Sequence, residues 1–187
     1  MDRYKIINLD DIIALNEELL LKPFKEYTPK YNEQEVYDYL NKYAILNNKE
    51  GFSKTYLLID PNNKELIIYG YFTIAIKSIQ IKNLSKTNKK KILGNMYPNI
   101  RKVEEVPAYL IGQISINNQY NILNKNEIIE CCLDVIKQIR SGVGCNLIIL
   151  ECKNENKLIK YYENNGFKVY TNNKIENELL TMIKRIE

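Results

Sequence analysis

The sequence predicts an α/β domain with a mixed sheet, and three observations lead there. From Val106 onward, strand and helix patterns alternate. Cys145 to Cys152 (CNLIILEC) is almost wholly apolar, as a strand covered on both faces requires. Earlier, two β-rich runs flank a Pro61-Asn62-Asn63 turn, the mark of an antiparallel hairpin. With 187 residues and 45% hydrophobic content, the chain is expected to be a single domain spanning 1–187, long enough for one core and short for two.

The elements follow in order. From Asp10 to Leu21, Ile12, Ile13, Leu15, Leu19 and Leu20 recur at helical spacing, and Lys22-Pro23 is expected to close that helix. A second helix is expected over Glu33 to Leu46, burying Val36, Leu40, Tyr43 and Ala44. Lys54 to Asp60 and Glu65 to Ile81 form the hairpin. Lys82 to Glu104, with Lys89-Lys90-Lys91, is a polar solvated connection rather than a nucleic-acid patch. Then come a strand (Val106 to Ile116), a helix (Lys125 to Ser141), a strand (Cys145 to Cys152) and a helix (Asn154 to Asn165). Gly166 sits where a left-handed cap would end that last helix. Phe167 to Tyr170 and Glu178 to Ile186 pair as closing strands.

Composition excludes much chemistry. Histidine is absent, which removes Ser-His-Asp and Cys-His nucleophilic machinery and histidine-based zinc sites. Cys131, Cys132, Cys145 and Cys152 lack C-x-x-C spacing and are expected to be reduced core thiols, with no metal site. Residues Met1 to Leu9 lack the apolar stretch of a signal peptide, and no run reaches the roughly 18 apolar residues of a membrane span. A soluble, cytoplasmic protein without a membrane partner is expected. The net charge of +4 permits an acidic partner without requiring one.

Tyr162-Glu163-Asn164-Asn165-Gly166-Phe167, preceded by Tyr161 and lying one strand and one helix after a strand-loop-helix unit, resembles the signature of the GNAT family of N-acetyltransferases. Thr55 to Ile59 with Ile68 to Phe72 looks like the family's early hairpin. Val106 to Gln113 looks like its central strand in a subgroup containing bacterial and mobile-element acetyltransferases and toxins that acetylate aminoacyl-tRNA. Together these cover roughly two thirds of the chain. The resemblance implies a GNAT-like mixed, mainly antiparallel sheet flanked by helices, with a parallel central strand pair. It implies acetyl-CoA as cosubstrate and an amine as acceptor, and it leaves room for a homodimer.

By that resemblance, the backbone of Gln113, Ile114, Ser115 and Ile116 holds the pantetheine arm and helps polarise the thioester. The pyrophosphate is expected at the helix opening near Lys125, with Leu123, Asn124, Lys125 and Asn126 around it. Asn124-x-x-Glu127 is a capping-box start, which an ordinary capped helix would also show. The family's phosphate loop carries glycines, but Tyr120 to Asn126 has none; Asn126 falls near the last glycine position and tolerates left-handed geometry best among side chains.

Tyr162 matches the family tyrosine that protonates the leaving thiolate. A phenol near pKa ~10 suits a thiol near ~8.5. The alternative is an aromatic packed on the sheet. Glu105 is the candidate base, against a plain surface carboxylate, with Glu104 and Glu151 as the other nearby acids. At pH 7, deprotonating a lysine amine costs roughly 4 to 5 kcal/mol and an α-amine about 1, so the meagre supply of bases favours an α-amine. Three functions remain: acetylation of a small or peptidic amine, toxin-like acetylation of aminoacyl-tRNA, and a catalytically decayed GNAT-shaped binder.

Overall fold

The computed structural model describes residues 3–31, 33–94, 99–170 and 179–186. Its seven strands form one sheet in the order β1-β2-β3-β4-β5-β7-β6: Lys5–Asn8, Lys54–Ile59, Ile68–Gln80, Glu105–Ile116, Leu147–Cys152, Leu180–Arg185 and Lys168–Val169 respectively. All neighbours are antiparallel except the parallel pair β4 and β5. The expected hairpin pairs Tyr56 with Phe72 and Leu57 with Tyr71. Strand β7 pairs with both β5 and β6, so the closing strands meet as expected; Glu178 lies outside the described residues.

Strand β1 escaped the sequence reading because four residues with mixed polarity give no period. Pairing with β2, Ile7 opposite Leu57, supplies the order that local pattern lacks. The first helical stretch is longer and more broken than expected: α1 (Leu9–Asn16), a 3-10 turn (Glu17–Leu20) and α2 (Leu21–Glu26). Asn16 interrupts α1 by accepting the Glu18 N–H at 2.9 Å. The turn re-phases the face, so Ile12 and Leu20 are buried while Leu15 is 81% exposed. Pro23 does not end the helix; it occupies the first turn of α2, where its missing N–H costs nothing.

The second stretch comprises α3 (Gln34–Asp38), a π turn (Tyr39–Tyr43) and α4 (Ala44–Lys49). Val36, Leu40 and Ala44 are buried as expected, but Tyr43 is 52% exposed because the wider turn rotates it off the face. The supposed solvated connection contains α5 (Lys86–Leu93) and a 3-10 turn (Ile100–Lys102). Lys89 is buried there, its Nζ donating to the carbonyls of Val103 at 2.5 Å and Arg101 at 3.2 Å. Helices α6 (Lys125–Gly142) and α7 (Asn156–Asn164) complete the chain.

The chain divides into two compact units. The first contains residues 1–75 and 111–135, with a core of Leu9, Leu20, Phe24, Tyr27, Leu40, Leu57 and Tyr71 among others. The second contains 76–110 and 136–187, with Ile81, Ile92, Val106, Ala108, Leu147 and Ile149 at its centre. Each large apolar side chain so buried contributes on the order of 1.5 to 3 kcal/mol. All four cysteines are free, three of them buried. No described helix is long and apolar enough to cross a membrane, and no described His, Cys, Asp or Glu cluster could hold a metal.

Candidate active-site elements

In the first unit, the end of β4 is held from two directions. The Gln113 N–H donates to the Thr73 hydroxyl at 2.8 Å, and the Ile116 carbonyl accepts from the Lys30 N–H at 2.9 Å. Asn117 extends the strand end, receiving an isolated bridge from Pro29 and donating its side-chain amide to the Ile68 carbonyl at 2.9 Å. Ser115 and Ile116 are buried, and Gln113 and Ile114 half-buried. Gly70 on β3 lets this strand approach closely: a Cβ there would lie 2.8 Å from the Ser115 carbonyl and 3.1 Å from a Leu123 methyl.

A groove of about 510 Å³ lies in the same unit, lined by Lys25, Tyr27, Glu33, Gln34 and Tyr37 among others. Tyr27 is 2% exposed, and among the described residues its hydroxyl makes no hydrogen bond of normal geometry. Burial pushes that phenol well above its ordinary range, opposed by the nearby Ser115 side chain.

At the start of α6, the capping box forms in full. Asn124 Oδ1 accepts from the N–H groups of Asn126 (2.9 Å) and Glu127 (3.1 Å), and Glu127 returns the bond to the Asn124 N–H at 2.8 Å. Arg3 pairs with the Glu127 carboxylate, which that bond and the Asn124 N–H hold below the usual range. Lys125 Nζ stands 4.0 Å over the Tyr31 ring. Asn126 is helical and not left-handed; among the described non-glycine residues only Asn99 has positive φ. The helix mouth therefore has two cations and two backbone donors occupied by its own cap. An anion at these donors would have to displace the Asn124 side chain, a cap worth about 0.5 to 2 kcal/mol.

In the second unit, Tyr162 lies on α7, half-buried, its ring 5.0 Å from Tyr161 and 6.0 Å edge-on from Phe167. The six-residue signature is a Schellman cap. Gly166 (φ 84°) donates to the Glu163 carbonyl at 2.9 Å, Phe167 donates to the Tyr162 carbonyl at 3.0 Å, and the Tyr162–Phe167 contact is its hydrophobic clasp. Lys184 Nζ donates to the Asn165 carbonyl at 2.8 Å.

Glu105 is the exposed first residue of β4, eight residues along the strand from Gln113, roughly 26 Å of extended chain. Glu104 pairs with Lys82 at 3.2 Å and Glu151 with Lys77 at 2.6 Å. Sequence reading missed Arg3, Tyr31, Thr73 and Lys184, which reach their partners across long chain separations that leave no local pattern.

The fold is shared along nearly the whole chain with solved structures. AtaT complexed with acetyl-methionyl-tRNAfMet matches at 17% identity and TM-score 0.68, over 95% of this chain and 93% of that one. AtaTR bound with AcCoA matches at 18% and 0.70, over 99% and 95%. A mutant of KacT matches at 16% and 0.69, over 96% and 94%. These have the GNAT fold, and so has this chain, as its signature led us to expect. No protein-family model and no curated protein matches the sequence.

Proposed function

We propose that the chain is an acetyl-CoA-dependent N-acetyltransferase whose acceptor is the α-amine of an aminoacyl-tRNA. The observation that carries this reading is the shared fold, over 95% of the chain, with AtaT solved with acetyl-methionyl-tRNAfMet, joined by the likeness to AtaTR bound with AcCoA. The acids on and beside the central strand support an α-amine: there is no histidine, Glu104 and Glu151 are each tied to a lysine, and Glu105 stands at the far end of β4 from Gln113. That leaves Glu33, in the groove beside Tyr27, as the one carboxylate lining it among the described residues. An amine near pKa 8 releases its proton to water for about 1 kcal/mol at pH 7 and needs none of them.

Bound acetyl-CoA supplies the activated acetyl thioester. The start of α6 would hold its anionic end, where the Asn126 and Glu127 N–H groups, Lys125 and Arg3, itself paired with Glu127, are gathered. The main chain of Gln113 to Ile116 orients the arm. Tyr162 is the candidate that would give its hydroxyl proton to the departing sulfur, and Tyr161 and Phe167 pack against its ring. The groove beside Tyr27 receives the acceptor's aminoacyl end.

The test is mass spectrometry of charged tRNA, of a lysine peptide with a blocked N-terminus, and of a lysine-free peptide, each incubated with acetyl-CoA. An acetylated aminoacyl-tRNA is expected; modification of the blocked lysine peptide alone would overturn the acceptor. The self-capped α6 and its glycine-free approach favour a second reading, a GNAT-shaped binder without activity. Calorimetry at millimolar acetyl-CoA with neither heat nor thermal shift would replace the first reading with the second.

A further inference from the structure

Charge is divided unevenly between the two units. The second holds 17 Lys and Arg against 8 Asp and Glu, a formal +9; the first holds 10 against 15, or −5, which together give the chain's +4. A mild total thus hides one strongly basic unit. Within it lies a groove of about 600 Å³ whose lining includes Lys91, Lys168, Lys184 and Arg185 and, among the described residues, no carboxylate. Among the described residues, Lys91, Lys168 and Arg185 have no acidic partner. Lys184 donates to a helix-end carbonyl, and burial first, then the charge of Lys137, lowers its pKa. Four cations lining one groove, with no carboxylate among the described residues to pair them, leave a standing electrostatic cost that a bound polyanion would relieve.

We infer that this groove is a binding site for the phosphodiester backbone of RNA. The chemistry on the page is that of phosphate recognition: an Arg fork, three ammonium groups, and Tyr170 on the wall with its hydroxyl on the Gln80 carbonyl. Gly166 also lines the groove, so the site begins at the cap of α7, four residues from Tyr162. A strand seated there lies beside the helix assigned the proton donor. The choice of RNA among polyanions rests on the proposed aminoacyl-tRNA acceptor; the site itself rests on the charges.

The test is fluorescence anisotropy of the full chain with labelled, uncharged tRNA across a salt series. It compares wild type, Lys91→Gln/Lys168→Gln, and Lys5→Gln/Lys64→Gln, the last an equal charge change in the first unit. The groove variant is expected to bind at least about tenfold more weakly at low salt, with the slope of log affinity against log salt smaller by about 1.4 to 1.8, while the control keeps both. Acetyl-CoA thermal shift and melting temperature should match wild type in all three, which separates a lost contact from a lost fold. Equal loss in both variants, or no binding by wild type, overturns the inference. So does competition by poly-glutamate as strong as by unlabelled tRNA, which would assign the groove to an acidic protein. If the groove variant still acetylates charged tRNA at the wild-type rate, the inference falls and the proposed activity stands. If wild type binds tRNA through the groove yet acetylates none, the activity falls and the groove stands.

Discussion

Asn124 does two incompatible things: it stabilises α6 by accepting two N–H bonds, and in doing so it occupies the donors an anion would use. Replacing it with glycine removes the competitor and supplies the residue type that allows close phosphate approach, while costing only a few tenths of a kcal/mol in cap energy. Asn124→Gly should therefore tighten acetyl-CoA binding severalfold in calorimetry, with little change in melting temperature; weaker binding would show that the Asn124 side chain is itself a ligand. Tyr162 is tested differently, because its ring belongs to the cap and only its hydroxyl carries the proposed chemistry. Tyr162→Phe should keep the Phe167 contact and the melting temperature but lower turnover about 10² to 10⁴-fold, with Tyr161→Phe as control. Unchanged turnover on a confirmed acceptor would remove Tyr162 from the mechanism.

At the scale of elements, what was legible in the sequence is what has a local cause. Gly166 announced its cap because positive φ is expensive for other residues, and Asn124 with Glu127 announced theirs because the partners stand three residues apart. The breaks at Asn16 and over Tyr39–Tyr43 were illegible: helical periodicity continues through them in the sequence, and only competition by a side-chain cap and the wider turn re-phases the buried face. Lys89 was illegible for the opposite reason, since a lysine within a lysine run looks solvated until carbonyls 12 and 14 residues away are seen to receive it. Among the candidate elements, the capped start of α6 and the cap that carries Tyr162 were legible, but the contacts of Arg3, Thr73 and Lys184 form only when the chain is folded. Two substitutions test these elements. Gly166→Ala should cost about 1 to 2 kcal/mol, or roughly 2 to 8 °C in melting temperature, through left-handed backbone strain. Lys89→Met keeps the packing but strands the carbonyls of Arg101 and Val103, so a comparable or larger loss in the same melt is expected. A wild-type melting temperature would mean that water satisfies both carbonyls.

For the whole molecule, acid sensitivity follows from carboxylates held below their ordinary range, Asp10, Asp38, Asp60 and Glu127 among the described residues. Partial burial works to raise the Asp10 pKa, but hydrogen bonds from Lys54 at 2.5 Å and Asn48 at 2.9 Å outweigh it, and the net shift is downward. Glu127 is lowered by Arg3. A carboxylate whose folded pKa lies below its unfolded value of about 4 contributes stability above that pH and loses it as pH falls through the folded value. Lys54→Met should accordingly flatten the fall in urea midpoint between about pH 5 and pH 2 while lowering the midpoint at pH 7; an unchanged acid profile would show that the pair is inert. The division of charge into −5 and +9 has a consequence for handling as well as for recognition. In dilute buffer, where the Debye length approaches 30 Å, the acidic unit of one copy attracts the basic unit of another, and concentrated solutions should turn turbid. At physiological salt, with screening over about 8 Å, the same solution should clear, so that light scattering falls as salt is added, the reverse of salting out.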